Sequence, residues 1–380
     1  MVRLAGQKLI MRFVDEFRDP KLAKSLVRRL QKLMEKLPHF TAENPLYLME
    51  VCGGHTHTIF KFGLDRLLPP SIEFIHGPGC PVCVLPMGRI DVCIEIAEKP
   101  HVIFCTFGDA MRVKGRKGSL LEAKARGADV RIVYSPLDAL TLARNNPDKQ
   151  VVFFSLGFET TMPSAAVTLQ QAKKQNVSNF FVVCQNITIV PTLRSLLLQE
   201  QIKIDGFIAP GHVSMVIGSQ PYQALCDQFH KPFVITGFEP LDILQAIVML
   251  VQQFADGRCE IENQYKRIVH ENGNGLAQRA MAEVFRLKAR SEWRGLGEIE
   301  ESGVELTPAY QQFDAEIYFN SRAQKVADDP NSRCGDVLTG KCKPADCPLF
   351  GTSCNPDNAY GALMVSSEGA CAAYYQYRRE

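Results

Sequence analysis

Eight short apolar runs, separated by helical stretches, constrain the fold of this 380-residue chain more than any other feature. The runs are rich in Val, Ile and Phe and do not alternate with polar residues, which is typical of parallel strands buried on both faces. The sequence therefore predicts an α/β fold in which helices cross over between parallel strands. The runs are LYLMEV (46–51), IEFI (72–75), VIFCTF (102–107), VRIVY (130–134), VVFFSL (151–156), FFVVC (180–184), DGFIAP (205–210) and PFVITG (232–237).

The length of this region favours two sheets over one closed barrel. A span from about 46 to 240 is short for an eight-stranded barrel, so we predict two Rossmann-like open parallel-sheet domains that divide near ARNNPDKQ (143–150). The apolar runs then fade, and we predict a weak strand within 258–269, an amphipathic helix over 275–290 and a loop over 291–303. The expected organisation is an N-terminal helical segment (1–45), a first α/β domain (46–150), a second (151–257) and a C-terminal domain (258–380).

Charge and hydropathy argue against two classes of partner. The chain has 43 Lys and Arg against 41 Asp and Glu, so it lacks the basic excess that nucleic-acid binding requires. The most apolar helical stretch, ILQAIVMLVQQF (243–254), is too short to span a membrane. Charged residues at positions 15, 16, 18 and 19 interrupt the apolar core that a signal peptide would need. We therefore expect a cytoplasmic protein that binds neither nucleic acid nor membrane.

Small and polar residues follow nearly every apolar run. Because ligands of open parallel sheets bind outside the carboxyl ends of the strands, we expect the reactive side chains there to face common clefts. Those at the later strand ends could orient ligands or bind partners, although hydrogen bonds that stabilise turns explain them equally well. The side chains concerned are Cys52, His55, Cys80 and Cys83, and then Asp109, Glu159, Thr160, Thr161, His212 and Glu239.

The first two strand ends carry the strongest candidates. CGGHTH places Cys52, His55 and His57 in one loop, a set of donors suited to a transition metal or to nucleophilic chemistry. GPGCPVC holds the dithiol Cys80 and Cys83. Its C-x-x-C spacing favours a redox pair, and a zinc half-site completed by CGGH is the alternative.

Thirteen cysteines are many for a chain expected in a reducing compartment, where metal ligation, redox work or plain burial are the usual reasons. Five of them lie in or beside apolar or helical runs, and we interpret these as small buried hydrophobic residues. They are Cys93, Cys105, Cys184, Cys226 and Cys259.

The last 47 residues hold five more cysteines, at positions 334, 342, 347, 354 and 371. Residues 331–362 contain too few large apolar side chains for a core, so a metal is expected to stabilise them. The wide, unequal spacings favour an iron–sulfur cube over zinc. SSEGACAAYYQY predicts a helix start capped by Ser366 or Ser367, with Cys371 in the first turn, where the helix dipole favours a thiolate.

Several long motifs, in this order, resemble the HypD family of hydrogenase maturation proteins from about residue 46 to the end. They are EVCGGHTHTIFKFGLDRLLP, EFIHGPGCPVCVLP, TFGDAMRV, FFSLGFETT, APGHVS, TGFEP and the terminal CGDVLTG, DCPLFGTSCNP and MVSSEGACAAYYQY. The resemblance implies two α/β domains, a third domain with a [4Fe-4S] cluster, and a scaffold for the Fe(CN)2CO centre of [NiFe]-hydrogenase. In that family the scaffold holds iron together with HypC, while HypE, supplied by HypF, brings cyanide.

Carried onto this chain, the resemblance makes Cys52 the thiolate that holds the nascent iron, with His55 nearby. Cys80 and Cys83 become a redox-active dithiol between that site and the cluster. The implied cluster ligands are Cys334, Cys347, Cys354 and Cys371.

One departure from the family pattern concerns these ligands. Leu363 stands where the family often has cysteine, so position 363 is not an expected ligand, and Cys342 could compete with Cys347. Two other functions stay open at this point: a stand-alone iron–sulfur thiol–disulfide oxidoreductase, and a zinc-stabilised binding protein.

Overall fold

The structure is a computed structural model that describes residues 15–199 and 201–378. The predicted helical character of the N-terminus falls partly on residues 1–14, which lie outside the described residues. From residue 15 that segment has a 3₁₀ turn and then a helix that begins at Pro20, after the Asp19 cap, and ends at Met34, so residues 35–45 are not helical.

All eight predicted strands form, and a ninth parallel strand joins them at Ile261–Asn263 within the predicted weak strand. The strands are β1 Leu46–Glu50, β2 Ile72–His76, β3 Val102–Thr106, β4 Asp129–Ile132, β5 Gln150–Gly157, β6 Phe180–Asn186, β7 Gly206–Pro210, β8 Phe233–Thr236, β9 Ile261–Asn263, β10 Phe285–Leu287, β11 Arg290–Trp293, β12 Gly297–Glu300 and β13 Val304–Leu306.

Helices connect these strands and cover the sheets. The α-helices are α1 Pro20–Met34, α2 Gly53–Lys61, α3 Leu64–Leu67, α4 Met87–Ala97, α5 Leu120–Ala125, α6 Pro136–Asn145, α7 Met162–Lys174, α8 Ile189–Leu197, α9 Gly211–Ile217, α10 Gln223–Phe229, α11 Pro240–Ala255, α12 Gly275–Val284, α13 Ala315–Tyr318, α14 Cys334–Leu338 and α15 Ala370–Tyr377. The 3₁₀ helices are Asp15–Arg18, Gly108–Arg112, Gln220–Tyr222, Pro308–Phe313, Pro344–Asp346 and Ala362–Met364.

The nine parallel strands form two open sheets, as expected for two Rossmann-like units. The first sheet has the order β2-β1-β7-β8-β9 and the second the order β4-β3-β5-β6. The predicted division near residues 143–150 is wrong for these sheets, because β3 and β5 pair across it and β1 pairs with β7. The chain starts the first sheet, makes the whole second sheet, and then returns to finish the first.

Beyond the parallel sheets, two short antiparallel pairs replace predicted elements. The helix predicted over 275–290 ends at Val284, because the next residues form β10 and pair with β13. The loop predicted over 291–303 is wrong, since β11 and β12 form a hairpin there. Gly295 and Gly297 adopt positive φ angles that permit this tight turn, and the buried Trp293 indole donates to Ser302 Oγ (2.8 Å).

Burial accounts for how the helices pack. The long helix α11 places nearly all of its apolar side chains in the core beneath the first sheet, and α1 packs on it through Leu30, Leu33 and Met34. Within residues 15–199 and 201–378, no helix combines the length and apolarity that a bilayer crossing needs.

One largely buried ion pair connects the second sheet to the C-terminal part of the chain. Arg89 of α4 lies 2.8 Å from the carboxylate of Glu316 in α13 and also donates to the carbonyl of Cys184 (3.1 Å). Removing one partner of such a pair leaves an uncompensated buried charge.

We therefore predict that Arg89→Ala lowers the free energy of unfolding by about 3 kcal/mol, measured by urea denaturation. The control is Arg286→Ala, which removes an exposed pair with Glu305 and should cost less than about 1 kcal/mol. Equal losses in the two variants would contradict a stabilising role for the buried pair.

Candidate functional site

Cys52 lies at the point where the first strand passes into a helix. β1 ends at Glu50, α2 begins at Gly53, and Cys52 is the residue that precedes the helix. Its side chain is partly exposed, whereas the neighbouring backbone is held in place by a hydrogen bond from Gly53 N to Gly79 O (3.2 Å). Burial of the sulfur, and then the carboxylates of Glu368 and Glu50, raise the pKa of the Cys52 thiol. The free side chain is therefore a neutral thiol at neutral pH.

His55, in the first turn of α2, is fully buried. Its Nε2 lies 3.0 Å from the carbonyl oxygen of Gly237, and because a carbonyl only accepts, Nε2 carries the proton. Nδ1 is buried and has no hydrogen-bond partner among the described residues. Burial lowers the pKa of His55, which keeps the ring neutral. A neutral imidazole with one free nitrogen is a ready metal donor.

Phe238 positions the imidazole groups of two different strand ends. Its ring stacks on His55 (centroids 4.7 Å apart, 23° between planes) and also on His212 (3.8 Å, 25°). His212 begins α9 after β7, and Phe238 follows β8. The structure thus brings the predicted His212 to the same edge of the first sheet as His55. His57 instead faces the C-terminal helix, where its ring packs edge-on against Tyr377.

Glu50 is a residue of the candidate site that the sequence analysis did not single out. Its carboxylate is fully buried at the end of β1 and accepts hydrogen bonds from Cys52 N (3.0 Å), His76 Nδ1 (2.8 Å) and the hydroxyl of Thr56. These contacts tie the ends of β1 and β2 together and fix the backbone that carries Cys52. A carboxylate in the last position of an otherwise apolar strand was the available signal.

The loop that carries the predicted dithiol packs against the backbone of Cys52. The Cys80 and Cys83 sulfurs are 2.7 Å apart, and both residues are buried. A side chain at Gly79 would lie 2.2 Å from the backbone nitrogen of Cys52, so only glycine allows this loop to approach so closely. Burial and then the neighbouring Cys80 raise the pKa of Cys83, which favours the protonated thiol at that position.

Four of the five C-terminal cysteines line one pocket, and they are the four predicted ligands. Cys334, Cys347, Cys354 and Cys371 all contribute to its lining. Its other walls are largely apolar and come from Val337, Leu349, Phe350 and Met364. Cys342 and Leu363 are not among the residues that line it.

The donor set of this pocket fits an iron–sulfur cube. Four thiols from separate elements give one ligand for each iron, and apolar walls are typical of such sites. Gly361 N donates to the Cys354 sulfur (3.3 Å) and Ser332 Oγ to the Cys334 sulfur (3.3 Å). A Cβ at Gly361 would lie 2.6 Å from the Cys334 sulfur, so the backbone must be glycine there.

Within the described residues, no three His, Cys, Asp or Glu side chains converge closely enough to hold a single metal ion. Burial raises the pKa of Cys334, and burial followed by the other three pocket thiols raises that of Cys371. Cys334 and Cys371 are therefore protonated thiols unless a bound cation displaces their protons.

The helix that carries Cys371 differs in one respect from the prediction. Its cap is Gly369 and not Ser366 or Ser367, and Cys371 does lie in its first turn. The expected thiolate preference from the helix dipole is outweighed by burial, because the pKa of Cys371 is raised. Ser366 Oγ instead donates to Asp109 (2.6 Å), which gives Asp109 an anchoring contact.

The segment before this helix contacts the dithiol and the start of α2, and it leads into the helix that carries Cys371 of the four-cysteine pocket. A Cβ at Gly369 would lie 3.0 Å from the Cys83 sulfur, and one at Gly53 would lie 2.5 Å from Cβ of Glu368. Residues 366–371 therefore contact the dithiol, the start of α2 and the four-cysteine pocket within six positions. The dithiol loop approaches the Cys52 backbone at Gly79, and the Cys83 sulfur approaches the segment that leads into the helix of Cys371.

The remaining predicted residues lie at strand ends but have different surroundings. Glu239 caps α11 and pairs with Arg18 (2.5 Å), and Thr161 Oγ1 contacts carbonyls of its own turn. Glu159, after β5, is buried, accepts a hydrogen bond from Ile189 N (3.1 Å) and leaves Oε2 without a partner in the described chain. Burial raises the pKa of Glu159 to about 7.

Comparison with the sequences of known proteins shows the family of this chain. The family model described as "HypD: Hydrogenase formation hypA family" matches residues 21–378. The chain belongs to the HypD family. Among the relatives of this HypD-family chain, hydrogenase maturation factor HypD of Escherichia coli K12 is 65% identical over 97% of this chain and 99% of its own length. The same-named factors of Rhodobacter capsulatus and Rhizobium leguminosarum are 54% and 50% identical, each over 97% of this chain, and over 98% and 96% of their own lengths.

The raised pKa of Glu159 gives the stability a pH dependence of known sign. A carboxyl whose folded pKa lies above its unfolded pKa contributes stability that is complete below the unfolded pKa and is lost as the pH rises through about 7. We predict that Glu159→Gln is more stable than the parent at pH 8 by up to about 3 kcal/mol, and that this gain disappears near pH 4.

Chemical denaturation at a series of pH values measures this difference. Glu300→Gln, at a mostly exposed carboxyl, is the matched control and should show no such trend. A constant difference between the Glu159 variant and the parent across this range would contradict the prediction.

Proposed function

We propose that this HypD-family chain is a cytoplasmic scaffold on which the Fe(CN)2CO centre of [NiFe]-hydrogenase is assembled. It holds iron together with a HypC-like chaperone while a HypE-like protein, supplied by a HypF-like one, delivers cyanide, and carbon monoxide is added. The observation that carries the proposal is the contiguity of three groups: the Cys52–His55 pair, the buried dithiol and the four-cysteine pocket.

The iron is the cargo, and Cys52 and His55 have the chemistry to receive it. Thiolate and neutral imidazole suit iron that carries strong-field ligands, and His55 Nδ1 has no competing hydrogen bond among the described residues. Iron binding displaces the thiol proton of Cys52, which burial otherwise retains. Two protein donors leave the other coordination positions open for diatomic ligands and for a donor from the partner.

The surrounding residues hold this pair in one orientation. Gly237 O fixes which imidazole nitrogen carries the proton, Phe238 fixes the plane of the ring, and Glu50 fixes the Cys52 backbone. Each acts on the donor atoms through another group, so each is a positioning residue.

Electrons for ligand attachment are proposed to come through the dithiol. Cys334, Cys347, Cys354 and Cys371 would hold a [4Fe-4S] cluster, which supplies one-electron chemistry when bound. Cys80 and Cys83 give two electrons and two protons when they close to a disulfide, and their sulfurs are already 2.7 Å apart.

Infrared spectroscopy of the complex with its HypC-like partner, purified without oxygen, tests the proposal. We predict cyanide and carbonyl stretching bands in the parent complex and their loss in Cys52→Ala, with the cluster retained. Cys342→Ala, at a partly exposed cysteine outside the pocket, is the control and should keep the bands. Normal bands in the Cys52→Ala complex would contradict the assignment of Cys52 as the residue that holds the iron.

Iron and acid-labile sulfide analysis tests the cluster ligands. We predict that Cys347→Ala loses at least half of both, whereas Cys342→Ala keeps both, because only Cys347 lines the pocket. The reverse result would make Cys342 the ligand. A colourless parent protein that contains zinc and no iron would instead support a zinc-stabilised binding protein.

A further inference from the structure

A second close pair of cysteines lies near the β8–β9 side of the first sheet and is distant in sequence from the dithiol Cys80 and Cys83. The sulfurs of Cys226 in α10 and Cys259, just before β9, are 3.0 Å apart. A disulfide needs about 2.05 Å, so closing the bond requires a movement of only about 1 Å. The interpretation of both residues as buried hydrophobic groups fits Cys226, which is 1% exposed, but not the partly exposed Cys259.

We propose that Cys226 and Cys259 form a second, reversible dithiol that exchanges with small-molecule disulfides of the glutathione type. The Cys259 thiolate attacks one sulfur of the small disulfide, forms a mixed disulfide and releases one thiol. The Cys226 sulfur then attacks the Cys259 sulfur and releases the second thiol. The small disulfide gains two electrons and two protons, and the protein loses the same number.

The different surroundings of the two cysteines assign their roles. Cys259 is reached by solvent, so it is the residue that a small disulfide can approach. Cys226 is buried, and that burial, followed by the adjacent Cys259, raises the pKa of Cys226 to about 12. A buried thiol next to an accessible one is placed to resolve a mixed disulfide and not to start the exchange.

The elements that this bond would join both reach the candidate site. Just after β9, Gln264 Oε1 accepts hydrogen bonds from Thr236 Oγ1 (3.0 Å) and Gly237 N (3.3 Å), and Gly237 O holds His55. α10 directly follows the turn that contains Tyr222, whose hydroxyl bonds to Ser214 at the start of α9 (3.0 Å). Oxidation would therefore fasten the segment that leads into β9, the edge strand of the first sheet, to α10.

Differential alkylation with peptide mapping tests the pair on the full-length protein. The reduced protein is incubated with oxidised glutathione, free thiols are blocked, and cross-linked peptides are identified by mass spectrometry. We expect a Cys226–Cys259 cross-link in the parent protein that a dithiol reductant reverses. Cys226→Ser should instead trap glutathione on Cys259, because the resolving thiol is gone.

Two further variants distinguish this pair from the dithiol at the candidate site. In Cys259→Ser, glutathione should attach to Cys226 at least about tenfold more slowly than it attaches to Cys259 in Cys226→Ser, since only the buried thiol of the pair is then left. The double variant Cys80→Ser, Cys83→Ser should form the Cys226–Cys259 cross-link at the parent rate.

Three outcomes would overturn the proposal. One is a parent protein without this cross-link in a sample where Cys80 and Cys83 have become oxidised. Another is a Cys226→Ser variant that carries no glutathione on Cys259. The third is loss of the cross-link in the Cys80, Cys83 double variant, which would make it a product of disulfide reshuffling from the site.

Discussion

Close backbone contact at glycine is the constraint on which the site depends. At Gly79 the loop of the dithiol lies against the backbone of Cys52, and at Gly369 the C-terminal segment lies against the Cys83 sulfur. A methyl group at either position would overlap atoms that cannot move without displacing a strand end or a thiol. These contacts bring chemistry from three distant parts of the sequence within reach of one another, and the hydrogen bonds of Glu50 and Ser366 then fix the arrangement.

The sequence was a good guide to which segments form strands and a poor guide to how they are ordered. Buried parallel strands have a continuous apolar signature, so all eight were found. Their order depends on which crossover packs best, and one apolar strand surface resembles another. The pairing of β1 with β7 therefore left no local trace. The sequence does not predict the hairpin at Trp293, because its residues have the pattern of a loop. They form strands only by pairing with each other.

The same distinction applies to the site. The sequence singles out Cys52, His55, Cys80 and Cys83 because these thiols and this imidazole follow predicted strands. The choice of Cys347 over Cys342 comes from a family resemblance, and Cys347, unlike Cys342, lines the pocket. Glu50 and Phe238 were missed because one reads as the end of a strand and the other as part of a turn. Their roles arise only when four strand ends meet at one edge, and no short window of sequence contains that information.

The interleaved order of the first sheet also has a consequence for how the protein is made. β1 and β2 leave the ribosome early, but the partner of the free edge of β1 is β7, which follows after roughly 130 more residues. At translation rates of about 5–20 residues per second, that edge waits on the order of ten seconds. An unpaired strand edge is a template for pairing with other chains. The topology that places β1, and with it Cys52, between β2 and β7 thus leaves one strand edge of the nascent chain open to such pairing until β7 is made.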